Sequence, residues 1–200
     1  MKLTFTLDDV LRDKTGQIGK AYKRYINPEI ELESLEFNTN CYQEIFKFDS
    51  KQEYQKFLYE EYVFEIFAEA NACKKQLDKK LNLWLIEQDH SDLPEKLDVA
   101  LSNPFEFNAS IGYTYFFISK MATRIRNAFF PSDSMEIWDR SDVVVTAEPK
   151  LLNSKPEGKI AIKIETSYNQ QSPADYTYPG LEEFLSDKEI ITKLMETYKG

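Results

Sequence analysis

The run LTFTLDDVLRD, residues 3–13, carries two adjacent aspartates that are the first groups in the chain able to do chemistry. Leu3, Phe5 and Leu7 alternate with Thr4 and Thr6, so residues 2–7 read as a strand that points Thr6 and Asp8 the same way. A strand tip bearing carboxylates can supply a nucleophile, a proton carrier or ligands for a hard cation. Here Asp8 stands alone on that face, because position 6 carries a hydroxyl. A threonine hydroxyl is hardly ionised at neutral pH, and without a neighbouring base it is a poor nucleophile and a poor metal ligand. Moving the register by two does not restore a pair. Asp8 then becomes the attacking group, and Val10, which carries no proton, falls at the acid–base position.

Other reactive constellations are unsupported. His90 is the sole histidine and stands in the polar run EQDHSDLPE, far from any serine or cysteine in nucleophile-elbow surroundings. The 6 glycines are scattered and form no phosphate-cradling loop. Cys41 and Cys73 have no second thiol or histidine beside them, which argues against a disulfide framework and a zinc site and leaves them as reduced core residues.

Positioning the aspartates requires a sheet, and the chain supplies one around a long interruption. From residue 14 to 95 the sequence is rich in Glu, Lys, Tyr and Phe at helical spacing. Ser50 and Glu53 have capping-box spacing and open a predicted helix over 51–70; a second over 74–88 is expected to pack back on it. The aromatic stripes read as core packing. After Pro94 follow a strand at 97–103, a helix at 110–127, a short strand at 128–130 and a helix opened by Ser132 or Asp133. A strand at 142–146, a helical turn behind Pro149, a strand at 160–164, the loop NQQSPADYTYPG and a helix at 181–198 complete the chain. Strands alternating with helices predict an α/β fold, a doubly wound and mainly parallel sheet. Residues 1–13 and 96–200 form its core and residues 14–95 a helical, cap-like insertion.

This organisation resembles the haloacid dehalogenase-like superfamily, in particular its small 5'-nucleotidase-like members. Their first strand ends in Asp, any residue, Asp, Gly, Val or Thr, Leu; against it this chain sets Thr6, Asp8, Asp9, Val10 and Leu11. The resemblance implies that the first carboxylate attacks phosphorus, the second protonates the leaving oxygen, and a later acidic pair helps hold Mg2+. Thr6 replaces the attacking group. The later pair is replaced too, because the strand DVVVTAEP ends in Thr146 and Ala147 with Glu148 one position beyond. Ser102, ending LDVALSN, matches the phosphate-binding hydroxyl of the family, and Lys120 matches its charge-balancing lysine. Asp8 and Glu148 remain as the only candidate metal ligands, and no catalytic residue, metal or other cofactor is expected.

Composition bounds the rest. At 200 residues, 42% hydrophobic and 14% aromatic, the chain buries a substantial core. A net charge of -9 disfavours contact with nucleic acid or anionic lipid, and no apolar run approaches the ~20 residues that span a bilayer. The runs YVFEIFAEA, FNASIGYTYFFISKMATRIR and SMEIWDRSDVVVTAEPKLLNSKPEGKIAIKIETSYN resemble stretches of a nucleotidase-like protein family of crAss-like tailed bacteriophages. That likeness implies an inactive structural protein of the virion, a ring component of the neck or portal. Its implied partners are copies of itself and other virion proteins, joined during assembly in the bacterial host cytoplasm. The alternative is a Mg2+-dependent 5'-nucleotidase-like phosphohydrolase using Asp8 or Asp9.

Overall fold

The computed structural model describes residues 1–90, 96–104, 106 and 108–198. Strand β1, Lys2–Thr6, is buried at every residue after the first and lies at the centre of a six-stranded sheet. Its parallel neighbours are β2, Asp98–Ser102, and β4, Val143–Thr146. β3, Asn127–Phe129, β5, Ile160–Ile164, and β6, Tyr176–Tyr178, extend the sheet in the order β3-β2-β1-β4-β5-β6, parallel throughout. The α/β fold expected from the alternation of elements is therefore the one observed. β6 lies inside the run expected to be a loop; three residues flanked by Pro, Ser and Gly carry too little alternation to show as a strand.

Helices cover both faces of the sheet. On one side, Ile137 and Trp138 of α6, Met135–Arg140, pack with Leu151 and Leu152 of α7, Pro149–Asn153, against Val144 and Ala161. On the other, the ring of Phe5 meets Trp84 at 6.0 Å and Phe184 at 5.9 Å between centroids, both edge to face. Trp84 lies on α4, Leu77–Asp89, and Phe184 on α8, Leu181–Ser186. The helix expected to fold back on residues 51–70 thus packs instead on the sheet, burying Leu77, Leu81, Trp84 and Leu85 in the same core as β1. The expected boundary near Pro94 lies outside the described residues.

A second apolar cluster is built from residues 18–67. α1, Lys14–Tyr25, contributes Ile18, Ala21 and Tyr22, and the single turn α2, Tyr42–Ile45, contributes Tyr42. Ser50 caps α3, Lys51–Lys56, by accepting from the Glu53 amide at 3.1 Å, as the capping-box spacing predicts. The helix does not continue regularly to residue 70. It widens into two π-helical turns, Phe57–Glu61 and Phe64–Ala68. The looser winding swings successive residues through a smaller angle, so Phe57 and Leu58, then Ile66, Phe67 and Ala68, all face inward. Packing has overridden the regular helical period.

Two other helices end earlier than their apolar spacing suggests. α5, Ala109–Lys120, stops before residue 127, and Ala122 takes a left-handed conformation with φ 46°. The expected helix over 181–198 is split into α8 and α9, Ile190–Thr197, by Asp187. Asp187 is extended, accepts from the amides of Glu189 and Ile190, and receives the Tyr178 hydroxyl at 2.8 Å. Its carboxylate serves as a cap in place of a helical backbone bond. Among the described residues no helix is long and apolar enough to cross a membrane.

Candidate functional site

Ligands of open parallel sheets bind beyond the carboxyl ends of the strands, where the connections diverge. At that edge β1 runs into a tight loop in which the amides of Val10, Leu11 and Arg12 all converge on the Leu7 carbonyl. The loop aims Asp8 and Asp9 in different directions. Asp9 has φ 57°, the left-handed region that glycine enters freely and aspartate tolerates better than most residues. This explains how an aspartate can stand where the resembled motif has glycine.

Asp8 is held by two cations. Arg12 Nε donates to Asp8 Oδ1 at 2.9 Å and Lys14 Nζ donates to Oδ2 at 2.7 Å; the Asn103 side-chain amide adds a bond to Oδ2 at 2.8 Å. Arg12 is fully buried, also pairs with Glu106, and donates to Thr114 Oγ1 at 2.7 Å. Its guanidinium lies 5.0 Å from the Phe67 ring centroid. Burial alone would raise the Asp8 carboxyl, but the charges of Arg12 and Lys14 prevail and lower it to about 2. Burial would likewise lower the Lys14 ammonium, and Asp8 beside it raises it well above the ordinary lysine range. Both groups are charged at neutral pH. Asp8 has no proton to give a leaving group.

Asp9 is saturated by neutral donors. Its carboxylate accepts the Thr15 amide at 3.1 Å, the Thr15 hydroxyl at 2.6 Å, and the hydroxyls of Tyr42 and Tyr168 at 3.3 and 2.7 Å. Burial raises the Asp9 carboxyl, and the same burial beside Asp9 keeps both tyrosine hydroxyls protonated as donors.

The expected site residues are only partly brought together. Thr6 is buried and donates to Thr146 Oγ1 at 3.0 Å, so its hydroxyl is absorbed by the neighbouring strand. Thr146 in turn accepts the Glu148 amide at 3.0 Å. Glu148 caps α7, accepting from the Lys150 amide and from Asn40, and its carboxyl is raised by burial. Ser102 donates to the Phe129 carbonyl of β3 at 2.8 Å. Lys120 donates to the Ala68 carbonyl at 2.9 Å and ties α5 to the second π-helical turn. Of these residues, Asp8 and Glu148 line a cavity of about 280 Å³ with Asp9, Lys14 and several tyrosines; Thr6, Ser102 and Lys120 do not line it.

Arg12, Lys14 and Asn103 are the functional residues that sequence reasoning missed. Asn103 follows Ser102 directly, so the polar group that reaches Asp8 lies one residue beyond the one expected. Lys14 follows Asp13, the cap of α1, and that cap could have signalled a first helical turn beside the loop.

The arrangement does not fit Mg2+. Among the described residues no three His, Cys, Asp or Glu side chains group as a metal site, and both oxygens of Asp8 already face cations. A divalent ion there would meet Lys14 and Arg12 at close range.

The fold has known counterparts. Solved structures that match include a haloacid dehalogenase-like hydrolase from Burkholderia xenovorans, at TM-score 0.60 and 11% identity over 97% of each chain. A β-phosphoglucomutase from Clostridium difficile matches at TM-score 0.56 and 13% identity, over 99% of this chain and 98% of that one. The likeness at this identity is one of fold, and it spans nearly the whole chain. No family model and no curated protein matches the sequence.

Proposed function

We propose that the chain is a catalytically silent haloacid dehalogenase-like protein that serves as a structural component of a tailed bacteriophage particle, in a ring at the neck or portal. One observation carries the silence: Asp8, the remaining carboxylate of the expected pair, is fixed between Lys14 and Arg12, while Thr6 at the nucleophile position is spent on Thr146. Phosphoryl transfer needs an attacking group, a proton donor and a metal ion positioned together; Thr6 is a poor attacking group, Asp8 is ionised, and Lys14 and Arg12 occupy the carboxylate that a metal would need.

An assembly role draws support from the surface and from the sequence resemblance to phage proteins. Phe116 and Tyr115 on α5 and Phe64 on the adjoining π-helical turn are exposed by 50%, 49% and 40%, and Phe64 and Phe116 lie 6.1 Å apart between ring centroids. Exposed aromatics that cluster across two elements are the residue types that anchor interface cores. Mass spectrometry of purified virions is the decisive experiment. The chain should be present at a stoichiometry of several copies per particle, and its confinement to the infected-cell lysate would end the proposal. Turnover of nucleoside monophosphates with Mg2+, abolished by Asp8→Asn, would instead establish the phosphohydrolase alternative.

A further inference from the structure

We infer that the cavity beyond β1 is a binding site for a small organic cation, an alkylammonium compound, and not for a phosphate ester. The cavity of about 280 Å³ lies against three carboxylates, Asp8, Asp9 and Glu148, and one ammonium, Lys14. Lys14 is committed to Asp8 at 2.7 Å, and Arg12 behind it is matched by Glu106. Among the described residues neither Asp9 nor Glu148 has an ion-pair partner of its own. Their donors among these residues are hydroxyls and amides, which satisfy hydrogen bonding without neutralising charge.

The remaining wall selects the kind of cation. Tyr42, Tyr54, Tyr59 and Tyr168 line the same space. Tyrosine rings attract a positive charge through their faces, and an alkylammonium gains from this what a hydrated metal ion does not. Carboxylates already occupied by donors suit a cation that needs field and ring contact more than many direct hydrogen bonds. A phosphate dianion would face Asp9 and Glu148 across a partly desolvated space, and Lys14, which lines it, is already engaged by Asp8. The volume is at the small end for ligand pockets, which favours a compact amine over a nucleotide.

Calorimetric titration of the full chain with choline and with putrescine tests the site, with inorganic phosphate, AMP and MgCl2 as parallel titrants. One of the two amines should bind with one-to-one stoichiometry, and phosphate and AMP should give no saturable heat. Glu148→Gln keeps one acceptor oxygen for the α7 cap and removes the charge; it should weaken amine binding on the order of tenfold. Tyr59→Phe should retain binding that Tyr59→Leu loses; should Tyr59→Leu fail to fold, the Glu148→Gln comparison decides. Saturable binding of phosphate, AMP or Mg2+ without amine binding, amine binding unchanged in Glu148→Gln, or no binding of either amine at millimolar concentration would each overturn the assignment. None of these results depends on whether the chain belongs to a virion.

Discussion

Lys14 Nζ lies 2.7 Å from Asp8 Oδ2, and with Arg12 on the other oxygen it converts an expected acid–base group into the centre of a buried ion network. The consequence is a pH dependence of fixed sign. The Asp8 carboxyl is lowered from 3.8 to about 2, so its contribution is present above pH 3.8 and is lost as pH falls through about 2. The shift corresponds to about 2 kcal/mol of stability. Asp9 and Glu148 are shifted upward, and their protonation on acidification acts in the opposite direction. Comparing urea midpoints of the wild type and Asp8→Asn between pH 2 and 6 isolates the Asp8 term. The wild-type advantage should shrink steadily below about pH 4, and a constant difference over the range would contradict the ion pairing.

Arg12 and Glu106 should be energetically coupled. Arg12→Met leaves Asp8 and Glu106 facing each other without their shared cation and should cost about 3–5 kcal/mol. Glu106 already has one oxygen, Oε2, buried without a hydrogen-bond partner among the described residues, so Glu106→Gln alone should cost less. The double variant should be more stable than the sum of the singles predicts, by roughly 1 kcal/mol or more in a double-mutant cycle. Strict additivity would mean that Arg12 stabilises the fold through Asp8, Thr114 and Phe67 and not through Glu106.

Placing a carboxylate at position 6 should not create a phosphohydrolase. Thr6→Asp places a charge in a fully packed site where the residue's hydrogen-bond partner is the Thr146 hydroxyl. A loss of several kcal/mol in thermal or chemical denaturation is expected. An aryl phosphate assay with Mg2+ should show no turnover, because Lys14 still blocks Asp8 and the β4 tip still lacks its acidic pair. Measurable hydrolysis by this variant would show that the other residues of the site suffice for catalysis once position 6 carries a carboxylate.

Asp9→Gly and Asp9→Ala should separate backbone from side chain. Both strand the Tyr42, Tyr168 and Thr15 donors, costing about 1–3 kcal/mol. Alanine must also adopt φ 57°, which should add roughly 1 kcal/mol to its loss. Equal midpoints for the two variants would remove the left-handed backbone as a determinant of the loop.

Trp84→Ala tests the attachment of α4 to the sheet. Trp84 is buried against Phe5 and Phe184, so the substitution should lower stability by about 3–5 kcal/mol while unfolding stays a single transition. Separate loss of α4 before the sheet melts would place it with the insertion.

Much of this protein was legible in the linear sequence. The alternation of Leu3, Phe5 and Leu7, and of Ile160, Ile162 and Ile164, reports burial directly, because a strand at the centre of a covered sheet must be apolar on the face it packs. The absence of a carboxylate at position 6 is likewise a fact of the sequence, and so is the Ser50 cap. The π-helical turns, the break at Asp187 and the short strand β6 were hidden, since each arises where packing or a side-chain cap outweighs local period. The occupants of the site were hidden for a related reason. Asp8 meets Asn103 and Arg12 meets Glu106 across more than 90 residues, and Lys14 reaches Asp8 only because the loop between them folds back. The linear sequence decided that position 6 carries a hydroxyl; only the closing of β1 against β2 and β4 decided that two cations would hold Asp8, because an ion pair depends on distance in space and not on separation along the chain.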